Sequence, residues 1–100
     1  MADLHLFSST IAIGATGGMV TVFHAMLASD PEEVRVRIAE RLGSQLMNYV
    51  VIDRGFDREN PFARMLLSPA MRELVDQVAS APSSPLSRGF ELLVDQRLGG

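Results

Sequence analysis

One hundred residues leave room for a single small domain, and an apolar fraction of 47% with a charged fraction of 21% excludes disorder over most of the chain. Cysteine is absent and all nine cations are arginine, which excludes disulfides, thiolate metal sites, cysteine nucleophiles, Schiff-base chemistry and a P-loop lysine. The net charge is −3, and only residues 35–64 are basic, with six arginines against four acids, too little for a nucleic-acid footprint.

The chain opens on Met1, Ala2 and Asp3 with no cationic run ahead of an apolar one. No secretory signal is read there, a cytoplasmic location is expected, and residues 1–7 are expected to be disordered. Residues 4–29 then form 26 consecutive positions without formal charge when His5 and His24 are neutral. Within them IAIGATGGMV, residues 11–20, admits four readings.

Ile11 to Gly18 resemble the strand-to-loop GATGG element of short-chain dehydrogenases and related epimerases, in which glycines let backbone amides approach a pyrophosphate at a helix N-terminus. The resemblance implies a dinucleotide site. However, the last motif glycine falls near Val20, no acidic residue ends a second strand, and the chain is too short for the sheet, so no cofactor is expected. As a membrane helix, the segment would use Gly14 and Gly18 as a small-xxx-small pair, but it lacks a basic flank and an aromatic belt. As a β-hairpin, IAI and MVTVF would be strands joined across GATGG. As a buried helix from Ser9 to Ala28, it would carry three glycines, each costing about 1 kcal/mol against alanine unless another backbone packs closely there. The buried helix is preferred and the hairpin is its alternative; in both, the glycines serve packing or turning.

Four Asx/Ser-Pro pairs then mark helix starts, at Asp30-Pro31, Asn60-Pro61, Ser68-Pro69 and Ser84-Pro85. The first predicts a helix over 31–50 with Val34, Ile38, Leu42, Leu46, Tyr49 and Val50 as its apolar stripe and Glu33 closing a capping box. DRGFDREN, residues 53–60, reads as an exposed charged connection. Short helices follow over 61–67 and from Pro69, the latter with Met71, Leu74, Val75 and Val78 on one face. Residues 80–85 read as a loop or short linker, and a last helix is predicted from Pro85 to Leu98, stopped by Gly99, with residues 99–100 disordered. The tetrapeptide LVDQ occurs at 74–77 and 93–96 and reads as one local solution used twice.

The expectation is therefore an all-α fold, a small bundle of four to five helices in one domain over residues 1–100. No catalytic constellation is read. His5 and His24 lack partners at metal-ligand spacing, and the serines at 68, 84 and 87 are explained by capping, so neither catalytic nor metal-binding residues are expected. Six methionines and an apolar N-terminal third point to protein contact. The expected function is a non-enzymatic interaction module, regulatory, chaperone-like or adaptor in kind, acting as a homodimer through Met19, Val22, Phe23 and Met26. Arg54, Phe56, Asp57 and Arg58 form a second candidate contact, since arginine and aromatics concentrate at hot spots. The alternative is a small membrane-associated subunit packed through Gly14 and Gly18. The partner is expected to be another protein, and neither nucleic acid nor a membrane.

Overall fold

A computed structural model describes residues 3–96, without the side chains of residues 47 and 48. The fold is not a helical bundle. Strands β1 (His5–Ala15) and β2 (Gly18–Ala28) form a long hairpin, followed by helix α1 (Pro31–Leu42), strand β3 (Leu46–Arg54), helices α2 (Pro61–Leu66) and α3 (Pro69–Ser80), and strand β4 (Glu91–Asp95). The four strands make one antiparallel sheet in the order β3-β1-β2-β4.

The hairpin replaces the preferred buried helix. Ala15 pairs with Gly18, so Thr16 and Gly17 are the two-residue loop. Gly17 has φ 92° and Gly18 φ 139°, a backbone path that side chains resist. In a helix those glycines would be a cost; in the hairpin they make the turn. The alternation that signals a strand is weak here because both sheet faces are covered. Phe7, Ile11, Ile13, Val22, Met26 and Ala28 on one face pack with Val34 and Ile38 of α1. Leu6, Phe23, Ala25 and Val94 on the other pack with Ala63 and Leu66 of α2 and Val75 and Val78 of α3. Each fully buried aliphatic side chain, such as Ile11 or Val22, contributes about 1.5–3 kcal/mol. The result is a three-layer α/β/α domain. His5, Leu6 and Phe7 lie within β1, with the last two in the core, so the expected disordered start does not extend to them. Residues 1–2 and 97–100 lie outside the described residues.

The helix starts are held by the residues that signalled them. Asp30 accepts from the Glu33 amide, Asn60 from the Phe62 and Ala63 amides, and Ser68 from the Met71 amide. The Glu33 carboxylate accepts from the Ser29 hydroxyl, one residue ahead of the expected capping box. Two predicted helices are corrected. The 31–50 helix stops at Leu42, where Gly43 takes φ 52°; a 3₁₀ turn follows, and Leu46, Tyr49 and Val50 belong to β3 instead. The 85–98 helix is a single 3₁₀ turn, Pro85–Ser87, followed by β4; its expected end at Leu98 and Gly99 lies outside the described residues. Helices over 61–66 and 69–80 stand close to where they were expected. Among the described residues no helix is long and apolar enough to cross a membrane, and Gly14 and Gly18 sit in strands rather than on a helix face.

Candidate interaction surface

The sheet is covered unequally. On the α1 side, apolar residues from one end of β1 to the other are buried; on the opposite side, α2 and α3 cover only the end around Leu6, Phe23 and Ala25. Beyond them the register puts Thr10 beside Val51 and Ala12 beside Thr21 on one face, and the strand alternation adds Met19 to it; Tyr49 follows in the stretch of β3 where the register against β1 shifts. Met19 is 67% exposed, Tyr49 61% and Val51 38%. This half of the face combines exposed Met19, Tyr49 and Val51 with half-buried Thr10, Ala12 and Thr21.

The same region has a free edge. Among the described residues β4 is an edge strand of five residues, with an acid at each end, whereas β3 is an edge of nine. The Gly55 amide donates to the Leu6 carbonyl at 2.7 Å, in phase with the Phe7–Arg54 and Ser8–Asp53 register. In an antiparallel ladder that phase turns the main-chain groups of Val51 and Asp53 towards β1 and those of Val50, Ile52 and Arg54 outward. An outward row of that kind is a template for another strand.

The expected dimer residues do not share a surface. Val22, Phe23 and Met26 are at most 9% exposed and lie in the monomer's own core, Val22 and Met26 on the α1 side and Phe23 on the other; Met19 alone is exposed. Helical spacing places them on one stripe, but in a strand neighbouring residues point to opposite faces. The second group is brought together in part. Arg54, Phe56 and Asp57 line a cleft of about 410 Å3 with Ser8, Thr10, Asp53 and Asn60. Phe56 meets Phe23 edge-on at 6.0 Å, the Ser8 hydroxyl donates to the Gly55 carbonyl, and the Asp57 carboxylate accepts from the Glu59 amide. Arg54 reaches the imidazole of His5. Arg58 turns away to α3, where it pairs with Glu73 at 3.1 Å and Asp76 at 3.6 Å. Much of this loop is thus occupied in fastening itself to the domain.

A polar node lies on the α1 side of the sheet, and sequence spacing gives no sign of it because its members are 50 and 67 positions apart. His24 is fully buried and its Nε2 stands 2.9 Å from Glu91 Oε2; Arg41 donates to the other carboxylate oxygen at 2.7 Å, with Arg37 at 3.9 Å. The Arg41 hydrogen bond, reinforced by His24, holds the Glu91 carboxyl down at about 2. Burial lowers the His24 pKa below 6.5, and the Arg37 and Arg41 charges push the same way against the pull of Glu91. An ionised Glu91 makes Nε2 the donor, leaving Nδ1 as a bare acceptor. Ser9, the cross-strand neighbour of His24, is 2% exposed; among the described residues its Oγ and His24 Nδ1 have no hydrogen-bond partner. Serine, imidazole and carboxylate are the residue types of a nucleophilic triad. However, the neighbouring cleft of about 490 Å3 is lined by Arg37 and Glu91 and not by Ser9 or His24. The node ties β2, β4 and α1 together.

Compared with protein-family models, with curated proteins and with solved structures, the chain matches none.

Proposed function

We propose that this protein is a non-enzymatic interaction module, regulatory, chaperone-like or adaptor in kind, that binds another protein chain along its open sheet face and the β3 edge. The observation that carries the reading is the combination of exposed Met19, Tyr49 and Val51 with an edge strand whose outward groups at Val50, Ile52 and Arg54 have no strand beside them among the described residues. Such an edge gains main-chain hydrogen bonds from an added strand, and the adjoining apolar face contributes affinity. The burial of Ser9 and His24 favours binding over nucleophilic chemistry, since no substrate carbonyl reaches a side chain sealed beneath α1.

The reading is tested by capture from a lysate of the cells that make the protein, using the wild type, Met19→Glu, Val51→Glu and, as a distant surface control, Arg35→Glu. The expected outcome is a protein held by the wild type and Arg35→Glu and lost from both sheet-face variants. An identical retained set for all four, together with a wild type that stays monomeric in light scattering, contradicts it.

A further inference from the structure

We propose that the chain seated on the β3 edge is a second copy of this protein, paired antiparallel with the two-fold axis at Val51. The inference rests on the interaction reading of this edge and gives it a partner and a register.

Donor and acceptor phase restricts the pairing first. In the regular part of the ladder, over residues 50–54, Val50, Ile52 and Arg54 present the outward groups, so the residues exchanging hydrogen bonds across the axis come from that set. A shift of one residue would set outward groups against inward ones and exchange the two faces. Three registers remain near the strand centre. An axis at Val51 sets Val50 opposite Ile52 of the second copy twice, as hydrogen-bonded pairs on the α1 side. Val50 and Ile52 are half-buried there, already packed against the α1 cluster, so this register completes their burial. On the open face it sets Val51 against Val51 of the second copy and Tyr49 against Asp53 of the second copy. An axis at Ile52 would instead oppose Arg54 to Val50 and Asp53 to Val51; an axis at Val50 would leave Ile52 without an apolar mate.

Charge permits the same arrangement. The stretch Tyr49-Val50-Val51-Ile52 is uncharged, and the two charged residues of β3, Asp53 and Arg54, are adjacent and opposite in sign, at the strand end. The Val51 register therefore places no like charges across the axis. The two open faces become neighbours, and Tyr49 and Val51 of both copies form one apolar strip. β4 offers no comparable seat, being short with Glu91 and Asp95 at its ends, and Glu91 is engaged with Arg41 and His24.

The absence of cysteine makes the test specific, because a single introduced thiol can form a protein–protein disulfide only between copies. In an antiparallel non-hydrogen-bonded pair the Cα atoms are about 4.5 Å apart, within the range a disulfide spans. Val51→Cys is expected to cross-link under glutathione oxidation about tenfold or more faster than Leu86→Cys, whose site on the 3₁₀ turn is 96% exposed, because pairing raises the effective thiol concentration. Tyr49→Cys and Asp53→Cys are each expected to cross-link slowly alone and rapidly when mixed. Circular dichroism on each variant checks that it is folded. Equal rates at 51 and 86, or a mixture no faster than its components, overturn the proposal. If cross-linking fails while a foreign protein is still lost from Val51→Glu, the second copy is wrong and the interaction reading stands; if both fail, that reading falls too.

Discussion

His24 and Glu91 show how much of this protein is decided by single side chains far apart in sequence. As a lone histidine in an uncharged run, His24 is readable only as a polar residue on a mixed face; its partner arrives 67 positions later. The pair gives stability a definite pH dependence. Glu91 titrates near 2 in the folded chain against 4.5 unperturbed, so its contribution is complete above 4.5 and is lost as pH falls from there towards 2. In the unfolded chain His24 takes up its proton near 6.5, while the buried imidazole stays neutral to lower pH, so the unfolded state binds more protons and stability also falls below 6.5. Both limbs therefore run the same way, towards acid lability. Urea denaturation across pH 7 to 2 is expected to show them, and Glu91→Gln is expected to remove the lower limb and to cost about 1–3 kcal/mol at neutral pH through the lost charge-assisted hydrogen bonds. A variant that retains the full acid loss between 4.5 and 2 would place its origin elsewhere. Val22, Phe23 and Met26 illustrate the opposite case: their apolar character marks them for burial against something, but the sequence reading gives them to a dimer contact on one helical stripe, whereas the strand period sends them to the two faces of the chain's own core.

At the scale of elements, the starts of α1, α2 and α3 are legible in the sequence through their caps, whereas the Ser84 cap opens only a 3₁₀ turn, the hairpin is readable only as the alternative to a helix, and β3 and β4 are not read at all. Asp30, Asn60 and Ser68 act locally on the first-turn amides, so their signal survives in a linear reading. Strand β3 is hidden because Leu42, Leu46, Tyr49 and Val50 continue the spacing of α1, whereas the β-branched run Val50-Val51-Ile52 and the positive φ of Gly43 mark the change. LVDQ gives a direct comparison. At 74–77 it is helical in α3, where Val75 packs under the sheet; at 93–96 its first three residues belong to β4 beside β2, and the Gln96 side chain accepts from the Thr21 amide. The same four residues adopt two conformations because their neighbours differ, which is tertiary context overriding local preference. The hairpin turn carries its own prediction. A side chain at Gly17 would meet open space, but its φ is 92°, so Gly17→Ala is expected to cost about 1–2 kcal/mol in thermal or urea unfolding, through backbone strain alone. A neutral result would mean that the turn relaxes to a different type.

Among the described residues the molecule is a sheet covered on one side by α1 and in part on the other by α2 and α3, with β4 as its short edge and β3 as its long one. The short β4 edge is flanked by charge and fastened to α1 through Glu91; the longer β3 edge is apolar at its centre, irregular where its register shifts between Val50 and Leu46, and turns the main-chain groups of Val50, Ile52 and Arg54 outward. An edge of this kind is a template for another strand, and in the proposed pairing the phase of those outward groups around Val51 sets the register. Amide hydrogen exchange resolved by residue, followed from dilute to concentrated protein, tests this most directly. Val51 and Asp53, bonded to β1, are expected to be protected throughout, whereas the outward amides of Val50 and Ile52 are expected to exchange rapidly when dilute and to become as protected as their neighbours when concentrated. Rapid exchange of Val50 and Ile52 at every concentration would contradict pairing of this edge between copies.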